Sequence, residues 1–112
     1  MIFRLHLALI LMLGFVCGCD KTTVDGTRGR SDICELHHVR MDKKPVRIVY
    51  GLMAATPYSI AYHTASTNSF PHADDVAGGG CVEGPEKFVL LYSCPMCEQA
   101  RKKWEIEYGK KP

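Results

Sequence analysis

Cys34-Glu35-Leu36-His37 and Cys94-Pro95-Met96-Cys97 repeat one spacing, two donor side chains separated by two residues. That spacing puts both donors on the same side of a tight turn, and thiolate and imidazole are the ligands that zinc and softer metals take. A fold that uses both pairs must bring distant parts of the chain together. A chain of 112 residues has room for one domain, and a core that small is often marginal without a covalent or metal staple.

The sequence around the second pair predicts a strand running into a helix. Residues 87 to 92, KFVLLY, are almost continuously apolar and predict a strand buried on both faces. Pro95 suits a first helical turn, where its missing N–H leaves nothing unsatisfied. Met96, Ala100, Trp104 and Tyr108 then form an i, i+4 apolar stripe, and basic residues with Gly109 suit a helix end. Upstream, residues 46 to 52, VRIVYGL, alternate with β-branched side chains and predict a second strand ended by Gly51. Residues 57 to 70 allow a short helix capped by Thr56 and started by Pro57, although the Ser, Thr and Asn content from 64 to 69 weakens it. Asp74 and Asp75 read as a solvated acidic turn, and Gly78-Gly79-Gly80 before Cys81 as a sharp turn or a flexible linker. The expected architecture is α+β: a small Cys/His domain over residues 34–112 with a β-hairpin, an ordered insertion and a C-terminal helix.

The start of the chain reads differently. Residues 1 to 4 are a short basic segment, and residues 5 to 16 an apolar run broken only by His6. A spanning helix needs roughly 20 residues, so this run reads as the core of an export signal. Val16-Cys17-Gly18-Cys19 resembles the lipobox of bacterial lipoproteins. The resemblance implies a signal peptide over residues 1–18, cleavage before Cys19, and lipidation (palmitate among the acyl groups) of Cys19. Cys17 departs from the residues usual at that place. Asp20 resembles the residue that retains such proteins in the inner membrane, which slightly favours that membrane over other parts of the cell envelope. Acyl chains would anchor the protein without a spanning helix. Residues 20 to 33 are polar with no apolar period, and with Cys19 they read as a flexible tether, residues 19–33, of mean reach about 20 Å.

From Cys34 onward the order is Cys-x-x-His, strand, insertion, strand, and Cys-x-x-Cys leading into a helix. It resembles the treble-clef and zinc-ribbon fingers, in which a knuckle and a hairpin precede a helix carrying the second ligand pair. The resemblance implies structural zinc held by Cys34, His37, Cys94 and Cys97. His38 is an alternate for His37, and Cys81 is a further cysteine in an insertion longer than the motif needs. Three other readings of these residues stay open. Four cysteines in an exported chain can form two disulfides, Cys34–Cys81 with Cys94–Cys97 among them. Cys94 and Cys97 at a helix start can form a redox pair. The methionines Met41, Met53 and Met96 with His37, His38, His63 and His72 offer soft and borderline donors suited to copper.

The runs Cys-x-x-His-His, Ile-x-Tyr-Gly, Phe-Pro-His-Ala, Gly-Gly-Cys and Cys-Pro-x-Cys also loosely resemble a pattern in small bacterial proteins of no assigned activity. They fall here at Cys34, Ile48, Phe70, Gly79 and Cys94. The resemblance implies an ordered insertion that serves as a binding surface. With 14 basic against 12 acidic residues, the chain has no charge reason to seek nucleic acid. No phosphate-binding motif and no oriented nucleophile and base are visible, so no catalytic residues are expected. The expectation is a zinc-stabilised envelope lipoprotein serving as a binding or scaffold module, its partners the membrane and an envelope protein. The alternative is thiol-redox or metal-handling work by Cys94 and Cys97.

Overall fold

The computed structural model describes residues 22–109; the expected signal peptide and Cys19 lie outside them. Four strands form one sheet: β1 (Thr23–Asp25), β2 (Asp42–Val49), β3 (Val76–Gly78) and β4 (Phe88–Ser93), in the order β1-β4-β2-β3. The two helices are α1 (Pro57–Ser69) and α2 (Pro95–Gly109). This is a small α+β fold. No described helix is long and apolar enough to cross a membrane.

The sheet is built on the antiparallel pairing of β2 with β4, from Asp42 opposite Ser93 to Arg47 opposite Phe88. β2 starts four residues earlier than its alternating pattern predicts, taking in a charged stretch that contains Pro45. The proline fits because β3 takes up its pairing only at Arg47, which leaves β2 an unpaired edge at Pro45 where a missing N–H costs no ladder bond. β1 runs parallel to β4 on its other edge, with Val24 opposite Val89.

β1 lies within the stretch expected to be a tether. Residues 22–33 are instead part of the fold. Asp25 closes a turn by accepting from the Thr27 N–H at 2.9 Å and the Thr27 hydroxyl at 2.5 Å, and Thr27 is buried. The Asp25 carboxyl is held below its usual pKa by the Thr27 hydroxyl first and the Thr27 N–H second. Gly26 passes so close to β4 that a Cβ there would stand 2.8 Å from Val89 Cγ2 and 3.0 Å from the Leu90 carbonyl oxygen. Only glycine fits.

α1 begins as the sequence predicts. Thr56 accepts from the Ser59 N–H at 3.1 Å, and the Ser59 hydroxyl accepts from the Thr56 N–H at 2.8 Å, a reciprocal cap with Pro57 following it. No residue of α1 is fully buried. The helices pack chiefly on each other through an aromatic array. Trp104 stacks on Tyr108 at 4.9 Å between ring centres and meets Tyr62 at 5.7 Å, Tyr58 at 5.8 Å and Phe70 at 6.1 Å. The sheet is left thinly covered, so β4 is only half-buried and Phe88 is exposed, against the expectation of a strand buried on both faces.

The innermost residues are Cys34, Met41, Phe70, Ala73, Cys94 and Cys97. Apart from Phe70, the largest fully buried side chains are three cysteines. The centre of this domain is sulfur rather than aliphatic carbon.

Candidate metal centre

The first half of the site is a tight turn. The Cys34 N–H donates to the Val39 carbonyl at 2.9 Å and the His38 N–H to the Cys34 carbonyl at 2.8 Å, while Ile33 and Arg40 pair as a bridge just outside. His38 closes this turn with a positive φ of 55°, which leaves its side chain exposed and His37 turned inward. The second half is the junction of β4 and α2. The Cys97 N–H points at Cys94 Sγ at 3.5 Å, and the Glu98 N–H donates to the Cys94 carbonyl at 3.0 Å, opening the helix.

The two halves meet. His37 Nδ1 lies 3.5 Å from Cys34 Sγ, 3.7 Å from Cys94 Sγ and 3.4 Å from Cys97 Sγ, and the sulfurs of Cys34 and Cys97 are 3.8 Å apart. The four donor atoms all fall within 4.8 Å of one another. A four-coordinate ion at about 2.3 Å from sulfur and 2.0–2.1 Å from nitrogen requires donor edges of about 3.5–3.8 Å. The four edges given above, 3.4 to 3.8 Å, lie close to that length. A disulfide would need sulfurs about 2.05 Å apart, and the described cysteines are all free. These four residues can hold a metal ion.

The electrostatics favour a cation at the centre. Burial opposes ionisation of Cys34, but bonds from the His37 and Leu36 backbone and the neighbouring thiols of Cys94 and Cys97 hold its pKa below the usual thiol value. Burial pushes Cys97 up to about 12, helped by the Cys34 and Cys94 sulfurs and opposed by a backbone bond from His72. Ionisation is thus eased at Cys34 and opposed at Cys97, and a cation between the sulfurs would relieve that opposition.

The other sequence candidates fall elsewhere. Cys81 is exposed, away from Cys34 and from the cluster, and His38 and His63 are exposed. Met53 and Met96 are exposed, and Met41 is buried in the core beside the cluster. Asp75 is tied to Lys44 at 3.3 Å and to Arg101, which with Glu98 at 2.9 Å from Arg101 makes an ion-pair network along α2 rather than a free acidic turn.

One contributor to the site went unpredicted. His72, which the sequence offers only among the donors suited to copper, accepts the Cys94 N–H on its carbonyl at 3.0 Å, and its Nε2 meets a Glu35 carboxylate oxygen at 2.6 Å. It ties the insertion to both halves of the site. Cys34, Glu35 and His72 also form a close group, in which the direct Glu35–His72 bond already pairs the two polar side chains. The signal was the Phe-Pro-His-Ala run: Phe70 and Ala73 are both buried against the cysteines.

Comparison with known proteins finds no match to any family model, curated protein or solved structure.

Proposed function

We propose that this chain is a membrane-anchored lipoprotein of the cell envelope whose domain is held by one structural zinc and serves as a binding or scaffold module. The observation that carries the zinc is the set of donor edges, 3.4 to 3.8 Å among the measured sulfur and nitrogen pairs. Three thiolates and a neutral imidazole in a tetrahedron are a ligand set that zinc takes, and a closed set of four protein ligands is the structural rather than the catalytic arrangement. The order of knuckle, antiparallel β2 and β4, and a helix carrying the last ligand supports a treble-clef-like arrangement. The anchor rests on the lipobox at Val16 to Cys19.

The redox reading of Cys94 and Cys97 is disfavoured by burial. Both side chains are at 0% exposure, whereas a thiol that exchanges with a partner has to be reached by it.

Purification of the mature protein without reductant, followed by elemental analysis and thiol titration, tests the zinc. One zinc per chain is expected, with Cys81 reacting freely and three thiols reacting only after chelation. No metal and no free thiol overturns the reading in favour of disulfides. For the anchor, Cys19→Ala should release the protein from membranes or block its processing; retention unchanged from the parent overturns it.

A further inference from the structure

The two ends of β4 face different surroundings. At the Ser93 end stand the cysteines. At the Phe88 end a single row of residues crosses the whole sheet: Thr23, Phe88, Arg47 and Val76 are successive partners on β1, β4, β2 and β3, and so lie on one face. Phe88 is 41% exposed and Val76 52%, and Arg47 and the adjoining Lys87 are exposed as well. This places an aromatic ring and an aliphatic side chain beside two cations at one end of the sheet.

The chain enters the fold at this same end. The Thr22 carbonyl accepts from the Lys87 N–H at 2.7 Å and from the Phe88 N–H at 3.1 Å. In the lipoprotein reading above, on which this inference rests, only Asp20 and Lys21 separate the lipidated Cys19 from Thr22. Three Cα steps of 3.8 Å reach about 11 Å at most. In that reading the Phe88 end is therefore held close to the bilayer surface.

We propose that Phe88, Val76, Arg47 and Lys87 form the surface by which the domain lies on an anionic lipid bilayer. Aromatic side chains favour the headgroup level, and cations there gain from anionic lipids. Glu83 shares the hollow between Arg47 and Lys87, so the positive surplus is small and the ring of Phe88 supplies the apolar part. With β4 upright on the lipid, its six residues would hold the candidate metal centre about 20 Å away.

The test uses the full processed chain in vesicles of phosphatidylglycerol and phosphatidylcholine brominated on their acyl chains. Acylation is read by mass spectrometry and folding by zinc content. The indole introduced by Phe88→Trp should lose most of its emission to bromine, while Trp104 in the parent protein keeps its own. Adding Arg47→Glu or Lys87→Glu to Phe88→Trp should weaken seating on the anionic vesicles by about fivefold for each charge. An acylated, zinc-loaded protein whose Phe88→Trp indole is unquenched overturns the docking surface and leaves the lipoprotein reading intact. A chain that carries no acyl group overturns both. Equal quenching on pure phosphatidylcholine, unmoved by the two charge reversals, overturns the assignment to anionic lipid.

Discussion

The two ends of the sheet are held together by different means. At the Ser93 end, pieces of chain far apart in sequence converge on four donor atoms, with Phe70 and Ala73 sealing the sulfurs from water. At the Phe88 end the chain passes through exposed connections: every residue from 51 to 56 is exposed, Leu52 at 92%, and so is Val82 at 82%. Order there comes mainly from backbone pairing, the Gly79 N–H to the Val49 carbonyl and the Gly51 N–H to the Gly80 carbonyl, both at 2.9 Å, with the Tyr50 hydroxyl donating to the Glu86 carbonyl at 2.6 Å. One end gathers four metal-binding donors in a desolvated centre, the other is held by strand pairing and the Tyr50 bond. A change at the first should be felt by the whole domain, and a change at the second only nearby.

If the site holds zinc as proposed, removing it breaks the comparison most severely. Structural zinc contributes about 10–16 kcal/mol to small domains, as much as the entire stability of most folds. Chelation, or Cys97→Ser, should unfold the domain outright, seen as loss of circular dichroism and as exposure of Trp104 in fluorescence. Phe70→Ala comes next. It empties the apolar seal over the sulfurs and should cost about 3–5 kcal/mol in chemical denaturation, with faster zinc transfer to a chelating dye.

Gly79→Ala probes the other end. A Cβ there would overlap the side chains of Ile48 and Tyr50, so a loss of about 1–3 kcal/mol is expected. Hydrogen exchange should speed up in β3 and at the end of β2 while zinc affinity stays unchanged. A fall in zinc affinity would show that the two ends are coupled after all. The smallest effect belongs to Cys81→Ser, which should change stability by less than about 0.5 kcal/mol and abolish the single fast thiol reaction of the zinc-loaded protein.

Much of the metal end was legible in the sequence because its signals are local. The spacing of Cys34 with His37 and of Cys94 with Cys97, the proline of the first helical turn and the stripe through Ala100 and Trp104 each declare themselves within a few residues. The cap at Thr56 did so too. The strands β1 and β3 did not. With three residues each, neither is long enough to show an alternating period, and they exist because β4 and β2 offer them an edge. The choice of His37 over His38 depends on which residue closes the turn with a positive φ, which the identity of two adjacent histidines does not encode. The role of His72 escaped for a related reason: its bond to Cys94 is made by the backbone carbonyl, which every residue has.

Cys34 and Cys97 stand 63 positions apart in the chain and 3.8 Å apart in space, and that fixes an order of events. Closing a loop of this length costs about 4 kcal/mol of chain entropy, and no local element between them can offset that before the last ligand is present. The first pair can form its turn early and even hold an ion loosely, but the centre cannot close until residue 97 is available. In the zinc reading, the centre of this domain therefore closes only once α2 delivers Cys97 and the metal is supplied.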